Sequence, residues 1–384
     1  MLKIVYLINQ LRQSGPVNVL RNIIQNLDRN HYKPIIIKFM QDDINRSITD
    51  KFLELDVDIY EMNLSFWSLE LRTYTVAKKL DLLLLEIAPD VIHTHGYHPV
   101  LVATLLKYRV PKVETLHCIS KEDYPLSKGF FIGNWMNFRY LKSLQSIDYC
   151  AAISKTVCEF YNNKLTSNKN VLVIYNGVEV LDSIGKSTED TLYTSLKLEK
   201  SDLIFLVVGA LSKRKDPETI IKAFRLASKH ESKMNMRLIF LGMGPLMDKC
   251  KSLSEGNGNI EFRGYVFNVF DYLKVADFSI CASHSEGFGL NYIESLMAGT
   301  PVISSKIGPF NEFSALYPQL TQLQFTPGNV SELADKMILA VNTVTQQEMK
   351  EISLDVCNRF SAKTMAISYM RLYDKMWNEY NEKL

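Results

Sequence analysis

Two hydrophobic patterns alternate along this chain. The runs Ile4–Ile8, Ile35–Phe39, Val91–His95, Val113–His117, Cys150–Ser154 and Val171–Tyr175 are short and rich in β-branched or other apolar residues. Strands buried on both faces read as continuous apolar runs, because neither face meets water. Between them lie longer stretches with helical periodicity, such as Val17–Leu27, Leu71–Ile87 and Ser154–Asn163. Strand, helix, strand in repetition predicts a parallel sheet covered on both sides. A second series follows, with strands expected at Leu203–Val208, Leu238–Leu241, Ile260–Arg263, Phe278–Ala282 and Val302–Ser304.

The segment Glu179–Asp202 separates the series and is rich in Ser, Thr, Lys, Asp and Glu. It reads as a solvated linker with room for one short helix. A chain of 384 residues exceeds what one core usually supports, so two domains are expected, 1–180 and 181–360. In the tail, Met365, Tyr369, Leu372, Met376 and Tyr380 recur at helical spacing, which predicts an amphipathic helix packed on protein.

The formal net charge is +2, which supplies no global field for nucleic acid. The six cysteines form no C-x-x-C pair and their spacings are irregular, so neither a zinc ribbon nor a disulfide framework is expected. Thiols without such a scaffold fit a reducing cytoplasm. No stretch reads as an export signal, and none reaches about 18 uncharged apolar residues as a spanning helix needs. A cytoplasmic protein is expected.

Ligands of open parallel sheets bind beyond the carboxyl ends of the strands. The first predicted strand is followed by Asn9 and then Gln13-Ser14-Gly15-Pro16. Gly15 lets backbone approach a ligand, and Pro16 suits a helix start, although a plain turn would use the same residues. After the strand ending at Val208 come Gly209-Ala210-Leu211-Ser212-Lys213-Arg214-Lys215-Asp216-Pro217. Three cations between a strand end and a helix suit a diphosphate, and a solvated basic turn would also look like this. The stretch Ser283 to Glu294 carries two glutamates eight residues apart. Gly287 and Gly289 place Glu286 in a loop, and a helix resuming near Leu290 leaves Glu294 in its early turns. Carboxylates accept hydrogen bonds from sugar and ribose hydroxyls, and N–H groups of Phe288, Gly289 and Leu290 suit phosphate oxygens.

This segment, continued through Ala298-Gly299-Thr300-Pro301, resembles the E-x7-E region of glycosyltransferase family 4. Further matches come in the same order: Pro89 to Gly96, Ile174-Tyr175-Asn176-Gly177-Val178, Gly242-Met243-Gly244-Pro245, Phe262 to Val266, Tyr272 to Asp277 and Gly308–Glu312. The resemblance implies the GT-B fold: an α/β pair of facing Rossmann-like domains with a cleft between them. It also implies that residues 361–384 form a helix crossing back to the first domain. The implied activity is metal-independent transfer of a sugar, with retention, from a nucleotide-diphosphate sugar. UDP is the expected nucleotide, and no separate cofactor is implied. By position, Glu294 would hold the ribose hydroxyls and Glu286 the donor sugar. Gly287 to Leu290 would serve sugar and phosphate, and Val266 would read the base through its backbone. Lys215, helped by Arg214, would bind the diphosphate under Gly15, and His117 would stand beside the donor sugar. Ala210 replaces a common arginine and Pro16 a common glycine, so the phosphate contacts depart from the usual pattern. The acceptor would be a saccharide or a lipid-linked saccharide of bacterial surface polysaccharide (capsule or O-antigen).

Other chemistry is weaker. His93, His95 and His98 lack a carboxylate at a compelling metal spacing, and structural or acceptor-side roles fit them better. Asp56-Val57-Asp58 is a D-x-D, but it precedes most of the first sheet and reads as a strand-edge coincidence. Gly242-Met243-Gly244 lacks the third glycine of a dinucleotide fingerprint. The enzymatic rivals are a sugar-nucleotide epimerase or a phosphorylase of the same architecture. The non-enzymatic rival is an exported sugar-binding protein. Lys128 to Tyr140 mixes aromatics with cations, which suits either contact with the inner face of the cytoplasmic membrane or a buried helix and loop.

Overall fold

The computed structural model describes residues 1–43, 47–166, 170–179, 189–230, 235–341 and 343–383. The chain divides into two compact units, Met1–Glu179 with Ser361–Leu384, and Val180–Phe360. In the first, seven parallel strands lie in the order β3-β2-β1-β4-β5-β6-β7. They are β1 (Leu2–Ile8), β2 (Tyr32–Lys38), β3 (Asp58–Glu61), β4 (Val91–His95), β5 (Lys112–Leu116), β6 (Tyr149–Ala152) and β7 (Asn170–Val173). Val5, Tyr6 and Leu7 are wholly buried, as expected for a central strand with both faces covered. Ile8 pairs with both Lys38 and His95, so β1, β2 and β4 end level.

Helix Gly15–Gln25 turns Val17, Leu20, Ile23 and Ile24 onto this sheet. The last helix, Ala362–Asn381, adds Met365, Tyr369, Leu372, Tyr373 and Met376 to the same core. Ser361 caps it by accepting from Thr364 N. Its entry is fixed by Ala362 N donating to Val178 O at 2.8 Å. Gly177 beside it has no room for a side chain, since a Cβ there would stand 2.5 Å from Ser361 O.

The second unit holds β8 (Leu203–Val208), β9 (Met236–Leu241), β10 (Ile260–Gly264), β11 (Phe278–Cys281), β12 (Val302–Ser305) and β13 (Gln324–Phe325), in the order β10-β9-β8-β11-β12-β13. Strand β8 covers the expected Leu203–Val208, and the apolar residues that follow, Ala210 and Leu211, belong to the turn after it. Strand order reverses between β1 and β4 in one sheet and between β8 and β11 in the other. Crevices at such reversals are where doubly wound folds bind ligands.

The linker reading needs correction. Helix Glu189–Leu196 is packed rather than solvated: Leu192, Leu196 and Leu198 are buried against Ile204 and Leu206. Residues 180–188 of that segment lie outside the described residues. In the D-x-D, Asp58 opens edge strand β3 and pairs with Lys33 at 2.8 Å, while Asp56 sits in a left-handed turn at φ 54°.

Candidate functional site

The turns after β8 and β11 meet at the second unit's reversal point. Arg214 Nη1 lies 2.7 Å from Glu286 Oε2, and Lys215 Nζ lies 2.6 Å from Glu286 Oε1. Ser283 Oγ donates to Oε1 at 2.8 Å. Arg214 also donates to Ser285 O at 2.8 Å, and His284 N donates to Arg214 O at 2.8 Å. The Glu286 side chain is only 9% exposed. Burial alone would raise its pKa, but Lys215 and then Arg214 override that and bring it down to about 2. Two cations against one carboxylate leave the cluster positive, as an anion site requires. Lys213, the third cation of the turn, is exposed.

The glycines around this turn have steric reasons. A Cβ on Gly242 would sit 2.1 Å from Gly209 O, and one on Gly244 would sit 2.3 Å from Leu211 O. The Gly242-Met243-Gly244 segment thus backs the cationic turn, with Leu211 N donating to Met243 O at 3.2 Å. Gly209, at φ 133°, lets the Lys215 stem fold over it, its Cε 3.7 Å from where a Cβ would be. Gly289 opens helix Leu290–Met297 at φ 92°, and a Cβ there would strike Phe310 Cε1 at 2.4 Å.

Glu294 stands one turn into that helix and is half-buried. Burial raises its pKa, with Lys215 pulling the other way. The Cys281 thiol, pushed up to about 12 by burial, is acted on by Lys215, Glu286 and Glu294 together. The two glutamates and Lys215 therefore share one neighbourhood. Sequence reasoning missed Asn291, whose Nδ2 donates to Val208 O at 3.1 Å and joins the helix start to β8. It also missed Ser283, for which the only signal is its place three residues before Glu286. The Phe288 side chain is core, packed on Phe313 and Phe360 at ring distances of 5.0 and 6.0 Å, so only its backbone can meet a ligand. Gly287 and Leu290 are half-buried beside it. Val266 packs partly into the core after β10, between exposed Tyr265 and Phe267.

In the first unit, Gly15 opens helix Gly15–Gln25 with Pro16 beside it. His117 follows β5 directly and is half-buried. The three sequence-singled histidines occupy distinct settings. His93 is wholly buried, its Nδ1 2.8 Å from Tyr373 Oη and its Nε2 2.7 Å from Thr115 Oγ1. His95 lies beside it, ring centroids 4.3 Å apart and tilted by 33°, and places Nδ1 3.0 Å from His117 Nε2. His98 Nδ1 lies 3.2 Å from Asn9 Nδ2, and its Nε2 pairs with Glu70 at 2.9 Å. Burial holds all of them toward the neutral form, with His117 down to about 3. Among the described residues no group of three His, Cys, Asp or Glu is placed to hold a metal.

The His95–His117 contact fixes protons. His95 Nε2 is buried without a hydrogen-bond partner. An orphaned N–H in a core is rarer than an orphaned acceptor. The consistent assignment puts the His95 proton on Nδ1, donated to His117 Nε2. His117 then carries its own proton on Nδ1, as a donor.

Residues 13–180 match the family Glycosyltransferase Family 4, and residues 189–352 match Glycosyl transferases group 1. The O-antigen biosynthesis glycosyltransferase WclY of Escherichia coli is 25% identical over 98% of this chain and 99% of its own. The alpha-monoglucosyldiacylglycerol synthase of Streptococcus pneumoniae is 30% identical over 57% of this chain and 53% of its own. Anabaena HepE, solved in complex with UDP, superposes with a TM-score of 0.76 at 16% identity, covering 97% of this chain and all of its own. Taken with the two parallel sheets, these matches make the chain a member of the group 1, family 4 glycosyltransferases, with a GT-B fold.

Proposed function

We propose that the chain moves a hexosyl or N-acetylhexosaminyl group, with retention and without a metal, from a UDP-sugar to a saccharide or lipid-linked acceptor in bacterial surface polysaccharide assembly. The observation that carries the reading is the convergence of Arg214 and Lys215 on Glu286 at the β8/β11 reversal, with Glu294 and a helix start beside it. HepE, a likeness of fold, was solved with UDP, and WclY is named for O-antigen biosynthesis.

In this reading the C1–oxygen bond to the β-phosphate breaks and its electron pair goes to the phosphate. Lys215, Arg214 and the N–H groups from Phe288 to Leu290 stabilise that charge without reorganising. Glu286 holds the two cations in place and accepts from donor-sugar hydroxyls, while Glu294 accepts from the ribose. The acceptor hydroxyl forms its bond to C1 on the same face and passes its proton to the departing phosphate. His117, with its proton on Nδ1, donates to the sugar rather than acting as base, and Val266 contacts the base through its backbone.

A donor screen tests this by following nucleotide release from UDP-, GDP- and ADP-sugars with and without acceptor. UDP release that depends on acceptor and survives chelator is the expected result. Interconversion of free sugar nucleotides without acceptor would favour the epimerase, which the transferase relatives do not.

A further inference from the structure

The hairpin formed by helices Ser120–Lys128 and Phe130–Leu144 has an apolar face that covers nothing. Gly129 joins the helices at φ 83°. Gly133 allows them to touch, since a Cβ there would stand 2.3 Å from Pro125 N. Met136, Tyr140 and Leu144, four residues apart, face the core. A surface helix should then be polar on its opposite side. Here Phe131, Trp135 and Phe138 occupy that side, 85%, 51% and 66% exposed. At 3.6 residues per turn they share a stripe roughly 60° wide. Leu126, Phe130 and Ile132 add an exposed apolar tip.

Charge selects the occupant. From Tyr124 to Ile147 there is no Asp or Glu. Lys128 and Lys142 are exposed, and Arg139 lies over the Trp135 ring at 4.6 Å while pairing with Glu70 at 2.6 Å. The nearest acids on the hairpin, Glu122 and Asp123, sit in the first turn of its first helix, away from the tip. A two-fold contact between copies of this chain would set each cationic patch against itself. An anionic bilayer offers apolar depth for the aromatics and phosphate for the lysines.

We infer that this hairpin is a docking wedge for an anionic membrane surface. The wedge begins three residues after His117, at the carboxyl edge of the first sheet, so docking brings that edge to the headgroups, where a lipid-linked acceptor would present its saccharide. That last step rests on the acceptor reading, whereas the docking does not.

The test floats the full chain with phosphatidylcholine vesicles, with and without phosphatidylglycerol, and measures acceptor-free donor hydrolysis separately in solution. Wild type should float with the anionic vesicles. The variant Phe131→Ser, Trp135→Ser, Phe138→Ser should lose at least tenfold in partitioning while keeping its melting temperature and donor hydrolysis. Lys128→Glu with Lys142→Glu should weaken binding only to anionic vesicles. Wild type remaining unbound, or the triple serine variant binding as well as wild type, overturns the inference. So does a dimer of the wild type that the serine variant dissociates, because the face is then a self-interface. Donor hydrolysis absent from a chain that floats would count against the transferase reading and leave the wedge standing.

Discussion

The carboxyl edges of the two sheets solve electrostatics in different ways. The second unit gathers full charges and pairs them, two cations on the nearly buried Glu286. The first unit also holds charge pairs near this edge, Lys38 with Asp42 and Arg139 with Glu70, but its four histidines, His93, His95, His98 and His117, are all shifted toward neutrality by burial. A diphosphate that gains charge as it leaves needs fixed counter-charge. In the proposed reading, sugar hydroxyls need directional donors and acceptors, which neutral imidazoles supply without attracting the diphosphate.

The strongest way to break this contrast is to remove charge where it should matter most. Lys215→Ala should lower turnover by about 10²-fold or more, measured as nucleotide release; wild-type turnover would end the assignment. A second test separates the units by acid. Histidines with depressed pKa stay unprotonated in the folded chain but take up protons once unfolded. The stability they give is therefore present above their ordinary 6.5 and lost as pH falls toward the folded values, about 3 for His117. Glu286 holds its contribution down to its ordinary 4.5 and loses it toward about 2. All three tryptophans, Trp67, Trp135 and Trp377, lie in the first unit. Tryptophan emission should thus change at a higher pH than the last loss of helical circular dichroism; coincident transitions would contradict the difference.

A smaller effect is expected at His95. His95→Phe keeps a ring but removes the donor to His117, and should lower kcat roughly tenfold, the worth of one hydrogen bond, with donor KM little changed. Nitrogen-15 shifts of His117 should then show mixed tautomers, and a single unchanged tautomer would rule out that His95 sets the His117 proton. The smallest effect concerns Glu114, wholly buried on β5, where it accepts from Tyr140 Oη at 2.6 Å and Gly96 N at 3.1 Å. Burial raises its pKa to about 8, so its cost to stability grows as pH rises from 4.5 through 8. Glu114→Gln should raise Tm by roughly 2–4 °C on the alkaline side and leave it unchanged near pH 5; equal effects on both sides would remove the electrostatic cause.

Buried strands were the most legible part of the sequence, because a strand covered on both faces has no polar alternation. β3 was not: its four residues, Asp58–Glu61, sit at a sheet edge with polar ends exposed. β13, two residues long, gives no periodicity to read. The residues of the second unit's site were legible through glycine spacing and clustered charge. Their pairing was not, since Arg214 and Glu286 are 72 positions apart (286 minus 214) and meet only because β8 lies beside β11. The aromatic segment was visible as composition, but that Phe131, Trp135 and Phe138 face outward depends on which side of the helix Met136 and Tyr140 bury.

The last helix has a consequence for how the protein is made. Met365, Tyr369, Leu372, Tyr373 and Met376 complete a core that begins at Ile4, and Gly177 has no side chain because that helix must enter beside it. A growing polypeptide cannot seal the first unit until helix Ala362–Asn381 has left the ribosome, whereas everything the second unit packs together has emerged by Phe360. The domain whose translation starts first is thus completed after the second, and during that interval its flank of core residues stays open.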